Sequence, residues 1–464
     1  MMAVARGRAL ASISITALAV PLIASTSGSA AADTARPPAP PPNHRVHLHS
    51  AHGVHVDKVQ WIGTRQLEAT ITPTALGRSI GVRIIVPRNY QPTPRRRYAT
   101  LYLFPGTSGH SWDWATSGHA VKATRNYRLI TVTSDIGFNG DGGSWFSNWV
   151  DRHTALGKSQ WERYNVHQLI PWIDANLATI RSRDGRAVAG LSQGGYGATE
   201  LAARHPDLFT EMGSFSGAPE IDRDPDVRAG AAVVIDGTMM GLNQVEPNAP
   251  FGDHVSNEIN WQGHDPAWYV GNLRGVGLWF ATANGTPGKY DDPVTNPTGT
   301  GGAGGIEALT HYSTDAFLGH LKQAHIPYVD YDYGSGTHSW PYWARDLRRF
   351  LRPLMRRFAH PSAARKHVYY KGIQTRWIEF GWRVRLHRPQ IAFTTLSRAS
   401  RHGFKLSGIG HATVTSPRDF SPGRAYHVMV GSKKQMIRAS EAGRLRVAVP
   451  LGTTARNVSV KIAS

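Results

Sequence analysis

The strongest constraint on the fold is a glycine-rich turn that lies between an apolar run and a helix-compatible segment. Residues 190–194 read Gly-Leu-Ser-Gln-Gly, which has the pattern G-x-S-x-G. The apolar run 187–189 precedes this turn, and the segment 196–203 follows it. In such a strand–turn–helix unit the serine lies on a sharp turn, and the flanking glycines avoid the clash that a Cβ atom would cause. The pattern therefore predicts that Ser192 is a nucleophile at the edge of a sheet.

Apolar and alternating runs on both sides of this turn predict a sheet with covering helices. Strands that alternate with helices indicate a mostly parallel α/β sheet, in which ligands bind beyond the carboxyl ends of the strands. The glycine-rich run 299–304 matches G-x-G-x-x-G, but no strand directly precedes it, and we interpret it as a flexible loop. The predicted strands cover 66–71, 80–87, 99–104, 129–134, 212–216, 276–282 and 328–331, and the predicted helices cover 165–178 and 312–323.

The two ends of the chain differ in character from this middle part. Residues 1–32 combine two arginines, an apolar run and small residues, which is typical of an export signal, and the proline-rich residues 33–53 are a predicted linker. Short alternating segments separated by Gly, Pro, Ser and Arg predict a small, sandwich-like all-β domain over 361–464. We therefore expect a secreted protein with an α/β catalytic domain over 54–360.

Charge and cysteine content narrow the chemistry. The chain has no cysteine, which excludes disulfides, a thiol nucleophile and thiolate metal sites. Its net charge is +20, and residues 361–464 hold 19 lysines and arginines against three acids. This imbalance predicts that 361–464 bind an anionic cell-wall polymer or a membrane surface. We assign the aromatic residues there to the core and expect no nucleic-acid partner, no metal and no cofactor.

A serine nucleophile needs a general base, and the base needs an orienting acid. In a sheet of this kind the chain order is serine, acid, histidine. His338 follows the predicted last strand and a glycine-rich loop, and it is the predicted base. The spacing alone does not choose the acid among Asp291, Asp292, Glu307 and Asp315. For the oxyanion hole, we expect one N–H from Gln193, at the start of the helix, and another from the loop 106–109.

Several further segments resemble a known family. These are Thr-His-Ser-Trp-Pro-Tyr-Trp at 337–343, His-Asp-Pro at 264–266, Asn-Gly-Thr-Pro at 284–287 and Ser-Trp-Phe-Ser-Asn-Trp at 144–149. Together with the serine turn they are similar to the antigen 85 mycolyltransferases. Those enzymes belong to the wider putative-esterase family, which includes S-formylglutathione hydrolase and feruloyl esterases. The resemblance covers roughly residues 55–360, and it implies an α/β-hydrolase fold.

The resemblance also implies roles for individual residues. It makes Ser192 the nucleophile and His338 the base, and it makes Glu307 the acid, with Asp315 as the alternative. Thr107 and Gln193 would supply the oxyanion N–H groups. The substrate-binding residues that we predict are Ser108, Trp149 and Trp340.

These observations predict a secreted serine esterase or acyltransferase that works through an acyl-enzyme. Its substrates would be small-molecule carboxylic esters, or esters of cell-envelope glycolipids or sugars. The alternative is a catalytically inert wall-binding protein in which the hydrolase fold is a scaffold and the basic domain is an anchor.

Overall fold

The computed structural model describes residues 46–93, 95–363 and 365–463. The predicted export signal, 1–32, and residues 33–45 of the predicted linker lie outside the described residues.

The first sheet has nine strands in the order β1-β2-β3-β5-β4-β6-β7-β8-β9. The six strands from β5 to β9 in this order are parallel, and β1, β2 and β3 continue the sheet in antiparallel pairs. The strands are β1 (Val54–Trp61), β2 (Gln66–Pro73), β3 (Ile80–Ile85), β4 (Ala99–Phe104), β5 (Leu129–Ser134), β6 (Arg186–Leu191), β7 (Glu211–Phe215), β8 (Gly277–Thr282) and β9 (Val329–Asp332).

The strand order determines where the predicted site lies in the sheet. The chain runs from β4 outward to β5 and then returns to β6 on the other side of β4. This reversal makes the carboxyl ends of β4 and β6 a topological switch point, where a crevice forms in open α/β sheets. The turn at Ser192 and the loop after Phe104 both begin there.

Helices cover both faces of this sheet. The central strands β4, β5 and β6 are buried along their whole length, which agrees with their largely apolar sequences. The helices are α1 (Asp113–Thr116), α2 (Ala120–Ala123), α3 (Trp161–Arg163), α4 (Ile170–Asn176), α5 (Gln193–Arg204), α6 (Pro225–Thr238), α7 (Glu258–Gln262), α8 (Pro297–Gln323) and α9 (Trp340–Ala359), with π-helical turns at Tyr164–Leu169 and Met239–Asn243 and a 3₁₀ segment at Pro266–Leu273.

Alternate side chains of a central strand pack into two separate hydrophobic cores, one on each face of the sheet. In β6, Ala187 and Ala189 pack on the α9 side with Phe350, whereas Val188 packs on the opposite side with Leu201 of α5. This is the two-residue period of a strand that is buried on both faces.

The glycine-rich run 299–304, which we interpreted as a flexible loop, is helical. It lies in the first turns of α8, which begins at Pro297 behind the N-cap Asn296. Asn296 Oδ1 accepts a hydrogen bond from the N–H of Gly299. A proline in the first turn and a capping asparagine are strong helix-start signals, and here they outweigh the low helix propensity of glycine.

The second sheet is antiparallel and contains eight strands, with β10-β13-β14-β17-β15-β16 as its main order and the hairpin β11–β12 attached through β14. A separate apolar core lies inside it. The predicted fold class, an α/β-hydrolase fold followed by an all-β region, is confirmed. The strands are β10 (Val368–Gly372), β11 (Arg376–Glu379), β12 (Trp382–His387), β13 (Thr394–Ser400), β14 (Gly403–Thr415), β15 (Ala425–Val430), β16 (Lys433–Arg438) and β17 (Arg446–Ala463).

Strand β10 joins the second sheet to the part of the chain that contains the first sheet and its helices, which we call the first unit. Asn272 exchanges two hydrogen bonds of 2.8 Å with the backbone of Lys371, and the hydroxyl of Tyr370 donates to the carbonyl of Arg204 at 3.0 Å. Ile373 packs so closely on Gly263 that a Cβ atom there would lie 2.1 Å from the Ile373 side chain. The contact therefore includes the C-terminal end of α5, the helix that begins beside Ser192.

None of the helices within the described residues combines the length and the apolar character that a membrane span requires.

Replacing Phe350 with alanine should lower the free energy of unfolding by about 3–5 kcal/mol, because it removes a fully buried ring from the core under β7 and β8. The ring packs on Phe215 and Trp279, each with centroids 5.7 Å away. Urea unfolding followed by tryptophan fluorescence measures the change. The exposed Arg352→Ala on the same helix is the control and should stay within about 0.5 kcal/mol of the parent chain. Equal losses in the two variants would contradict this assignment of the core.

Candidate active site

Ser192 lies on a strained turn between β6 and α5. Its backbone has φ 52° and ψ −127°, outside the helical and strand regions that a serine normally adopts. A Cβ atom on Gly190 would lie 2.3 Å from the carbonyl oxygen of Gly194, and one on Gly194 would lie 2.2 Å from that of Pro105. Both glycines are therefore required by close backbone packing. The N–H of Ser192 donates to the carbonyl of Phe215 at 3.0 Å, which ties the turn to the end of β7.

His338 lies in the loop between β9 and α9, directly before the helix. Its Nδ1 is 2.8 Å from Oε2 of Glu307. Because a carboxylate oxygen accepts, Nδ1 carries the hydrogen in this contact and Nε2 is left as the basic nitrogen. The ring also packs edge-on against Trp343, with centroids 4.9 Å apart. Nε2 has no hydrogen-bond partner among the described residues.

Glu307 is fully buried on α8, and three donors hold its carboxylate. Oε1 accepts from the hydroxyl of Ser216 and from the N–H of Ala283, both at 2.8 Å, and Oε2 accepts from His338. Ser216 directly follows β7 and Ala283 directly follows β8. The carboxylate is therefore fixed by the ends of two central strands.

The other candidate acids lie elsewhere in the described structure. The side chain of Asp315 is 61% exposed, and it contacts His311 at 3.7 Å. Asp291 accepts from the hydroxyls of Thr337 and Tyr342, and Asp292 binds Thr295 within its own loop. The sequence left four carboxylates as candidates for the acid, and among the described residues Glu307 is the one of these that binds His338.

The loop after β4 packs directly on the nucleophile. A Cβ atom on Gly106 would lie 3.0 Å from Cβ and 3.5 Å from Oγ of Ser192. Thr107 is exposed beside it, and the half-buried Ser108 has a positive φ of 57°. This loop and the first turn of α5 therefore both lie next to Ser192, where the predicted oxyanion donors Thr107 and Gln193 were expected.

The side chain of Gln193 makes contacts that the sequence did not reveal. It is buried, and its Nε2 donates to Oγ1 of Thr107 at 3.2 Å and to the carbonyl of Gly142 at 2.9 Å. Its Oε1 accepts from the N–H of Trp145 at 3.2 Å. Gln193 therefore fixes two loops relative to the nucleophile turn. Sequence reasoning used only its backbone N–H, because nothing in the local pattern shows which distant loops meet it.

The two predicted substrate-binding tryptophans have different surroundings. Trp340 is half-buried, and it packs edge-on against Trp114 and Trp343 with centroids 5.4 Å away in both cases. Trp149 is only 2% exposed, and its Nε1 donates to the carbonyl of Ser144 at 2.9 Å. The described structure gives Trp149 a packing role in the core, because its ring has no open face for a substrate.

No cluster of three or more histidine, aspartate or glutamate side chains with the spacing of a metal site occurs in residues 46–93, 95–363 and 365–463.

Comparisons with known proteins identify the family of the chain. A family model described as "Putative esterase" matches residues 74–354. The esterase Rv1288 of Mycobacterium tuberculosis is 38% identical over 153 residues, which are 32% of this chain and 32% of that protein. The chain therefore spans about a third of the length of this relative. The diacylglycerol acyltransferase/mycolyltransferase Ag85B of Mycobacterium leprae is 28% identical over 288 residues, 59% of this chain and 78% of that one.

Among solved structures, M. tuberculosis MPT51 is 23% identical with a TM-score of 0.49, and the match covers 61% of this chain and 96% of MPT51. The family model spans more than half of the chain, including Ser192, Glu307 and His338. The chain therefore belongs to the putative-esterase family, as its resemblance to the antigen 85 enzymes predicted.

Proposed function

We propose that this protein is a serine esterase or acyltransferase in which Ser192, His338 and Glu307 act as a catalytic triad. The observation that carries the proposal is a continuous set of contacts at the carboxyl edge of the sheet. Ser192 binds the end of β7 through Phe215, the next residue Ser216 holds Glu307, and Glu307 holds His338. Acyl transfer requires a base–acid pair within reach of a serine nucleophile, and these contacts connect the His338–Glu307 pair to the turn that carries Ser192.

The proposed reaction has two steps. His338 Nε2 takes the hydroxyl proton of Ser192 as Oγ attacks the ester carbonyl, and the backbone N–H groups of Gln193 and Thr107 stabilise the oxyanion. Collapse of this intermediate expels the alcohol, which receives the proton from His338, and leaves an acyl-enzyme. Water or a sugar hydroxyl then attacks that ester while His338 takes its proton. The acyl–Oγ bond breaks, the carboxylic acid or acylated sugar leaves, and His338 returns the proton to Ser192. Glu307 keeps the imidazole in the reactive tautomer throughout.

The proposed substrates are carboxylic esters of small molecules, sugars or cell-envelope glycolipids. The names of two relatives, an esterase and a diacylglycerol acyltransferase/mycolyltransferase, support both water and an alcohol as acyl acceptors. The export signal predicted over 1–32 supports a secreted location. The positive charge of residues 361–464 supports attachment to an anionic cell-wall polymer or membrane surface.

Ser192→Ala should lower the kcat for p-nitrophenyl ester hydrolysis by about 10⁴-fold or more, because no acyl-enzyme can form. Labelling by a fluorescent fluorophosphonate should be lost at the same time. The exposed Ser335→Ala is the matched control and should retain both signals. A parent chain that neither labels nor hydrolyses any ester would contradict the proposal and favour an inert wall-binding scaffold.

Glu307→Gln should lower kcat by roughly 10³–10⁴-fold, because an amide does not hold the imidazole in the required tautomer and orientation. Asp315→Asn should leave kcat within twofold of the parent value, roughly the scatter expected for an exposed site. Ester hydrolysis by both variants, with circular dichroism to verify folding, tests the choice of acid. A larger loss in Asp315→Asn would identify the wrong carboxylate as the acid.

Acyl transfer and hydrolysis share the acyl-enzyme, so intact mass spectrometry should detect an acyl group on Ser192 after brief mixing with a reactive ester. Adding a sugar acceptor should shorten the lifetime of this adduct and yield an acylated sugar if the protein is a transferase. An adduct that decays at the same rate with and without sugars would identify a hydrolase.

A further inference from the structure

A cleft of about 450 Å³ lies where the hairpin β11–β12 meets the first unit. One wall comes from the hairpin and includes Arg376, Arg383 and Arg385. The opposite wall includes Arg163 and His167, from the turns between α3 and α4. This cleft is separate from the proposed catalytic site, because none of Ser192, Glu307, His338, Thr107 and Gln193 lines it.

The three hairpin arginines share one exposed face. Burial alternates along both strands, with Trp377 and Glu379 inward and the arginines outward. Arg376 lies directly opposite Arg385 in the antiparallel ladder. Like charges at directly opposed positions destabilise a sheet. The fold therefore retains an unfavourable contact that an external anion would relieve.

Two buried carboxylates line this cleft, and both lie beside a cationic ring. Glu162 binds Arg204 at 2.7 Å and His205 at 3.0 Å, and Glu379 lies 3.7 Å from the other nitrogen of His205. Burial lowers the pKa of His205, but its hydrogen bond to Glu162 and the nearby carboxylate of Glu379 raise that pKa to about 9, so the ring is cationic at neutral pH. Neither carboxylate forms an ion pair with a hairpin arginine among the described residues.

The charged side chains on the exposed face of the hairpin are all donors, because arginine side chains only donate. The indole N–H of Trp377 and Oε2 of Glu379, which also line the cleft and have no hydrogen-bond partner among the described residues, lie on the inward face. A complementary ligand must bring negative charge and several acceptor oxygens. Phosphate fits this requirement, because guanidinium groups bind its oxygens in pairs.

The residues that line the cleft suit a flexible polymer better than a membrane surface or a nucleic acid whose bases stack on aromatic rings. Outward residues of a strand are ~7 Å apart, so Arg383 and Arg385 present separate charges along one line. Ile378, 55% exposed, is the one large apolar side chain exposed on the hairpin face, which is too little for insertion into a bilayer. The lining aromatic rings of Tyr370 and Trp377 are buried, so they offer no platform for stacking nucleic-acid bases.

We propose that this cleft, with Arg163 on one side and Arg376, Arg383 and Arg385 on the other, binds a phosphate-bearing sugar or polyol polymer. The proposal narrows the anchoring role proposed above to one site, and it does not depend on the esterase activity. A polymer held there contacts both units of the protein at once.

The test uses the full chain and long-chain inorganic polyphosphate as the probe, with binding measured by fluorescence anisotropy over a range of salt concentrations. Arg383→Gln/Arg385→Gln should weaken binding about tenfold or more and lower the slope of log Kd against log salt by about 2. Arg398→Gln/Arg401→Gln removes the same charge from exposed positions of the second sheet outside the cleft. This matched control should change Kd less than twofold.

Arg163→Gln, on the opposite wall, should also weaken binding, and it keeps the test decisive if the hairpin variant is unstable.

Equal effects of the cleft and control pairs would overturn the cleft as a site while leaving general attachment intact. Tighter binding of polygalacturonate, anionic vesicles or single-stranded DNA than of polyphosphate would overturn the assignment of the ligand. A parent chain that binds no polyanion would overturn both the cleft and the proposed attachment. Ser192→Ala should bind polyphosphate like the parent chain, which separates this proposal from the catalytic one.

Discussion

The hydrogen bonds that the buried carboxylate of Glu307 accepts are the interactions on which the rest of the site depends. The carboxylate accepts hydrogen bonds from the end of β7, from the end of β8 and from His338, while the helix that carries it, α8, covers the sheet edge. A buried carboxylate without these donors would be strongly unfavourable, so its burial forces the three segments into one arrangement. That arrangement fixes the imidazole of His338 relative to the ends of β7 and β8.

Helix α5 links this site to the second sheet. Its first residue, Gln193, holds the loops around the nucleophile, and the carbonyl of its last residue, Arg204, accepts from Tyr370 of β10. The side chain of Arg204 is buried with Glu162 and Glu200, and the next residue, His205, reaches Glu379. Opposite ends of one rigid helix therefore contact the catalytic loops and the basic sheet. The C-terminal sheet is packed on the first unit through buried polar contacts.

Local patterns predicted the elements well where burial is uniform or periodic. The apolar run over 99–104 is β4 at the predicted bounds, and the run over 129–134 is β5. The prediction failed where two local signals conflict. In 299–304 the glycines suggested a loop, but Asn296 and the following proline start a helix that the sheet then stabilises by burying its inner face. Trp149 illustrates a different limit, because a motif identifies a tryptophan but not which side of it faces the core.

The sequence by itself identified the G-x-S-x-G turn at Ser192, His338 as the predicted base and the change from an α/β part to a basic β part. These depend on local backbone geometry, on chain order and on composition, all of which can be read along the chain. Only the tertiary structure decided that Glu307, rather than Asp291, Asp292 or Asp315, meets His338, because that contact joins α8 to a loop 31 residues away. The tertiary structure also decided that Gln193 bridges two loops and that the arginines of β11 and β12 line the same cleft as Arg163. Each of these depends on how distant segments pack, and no short pattern in the sequence encodes that packing.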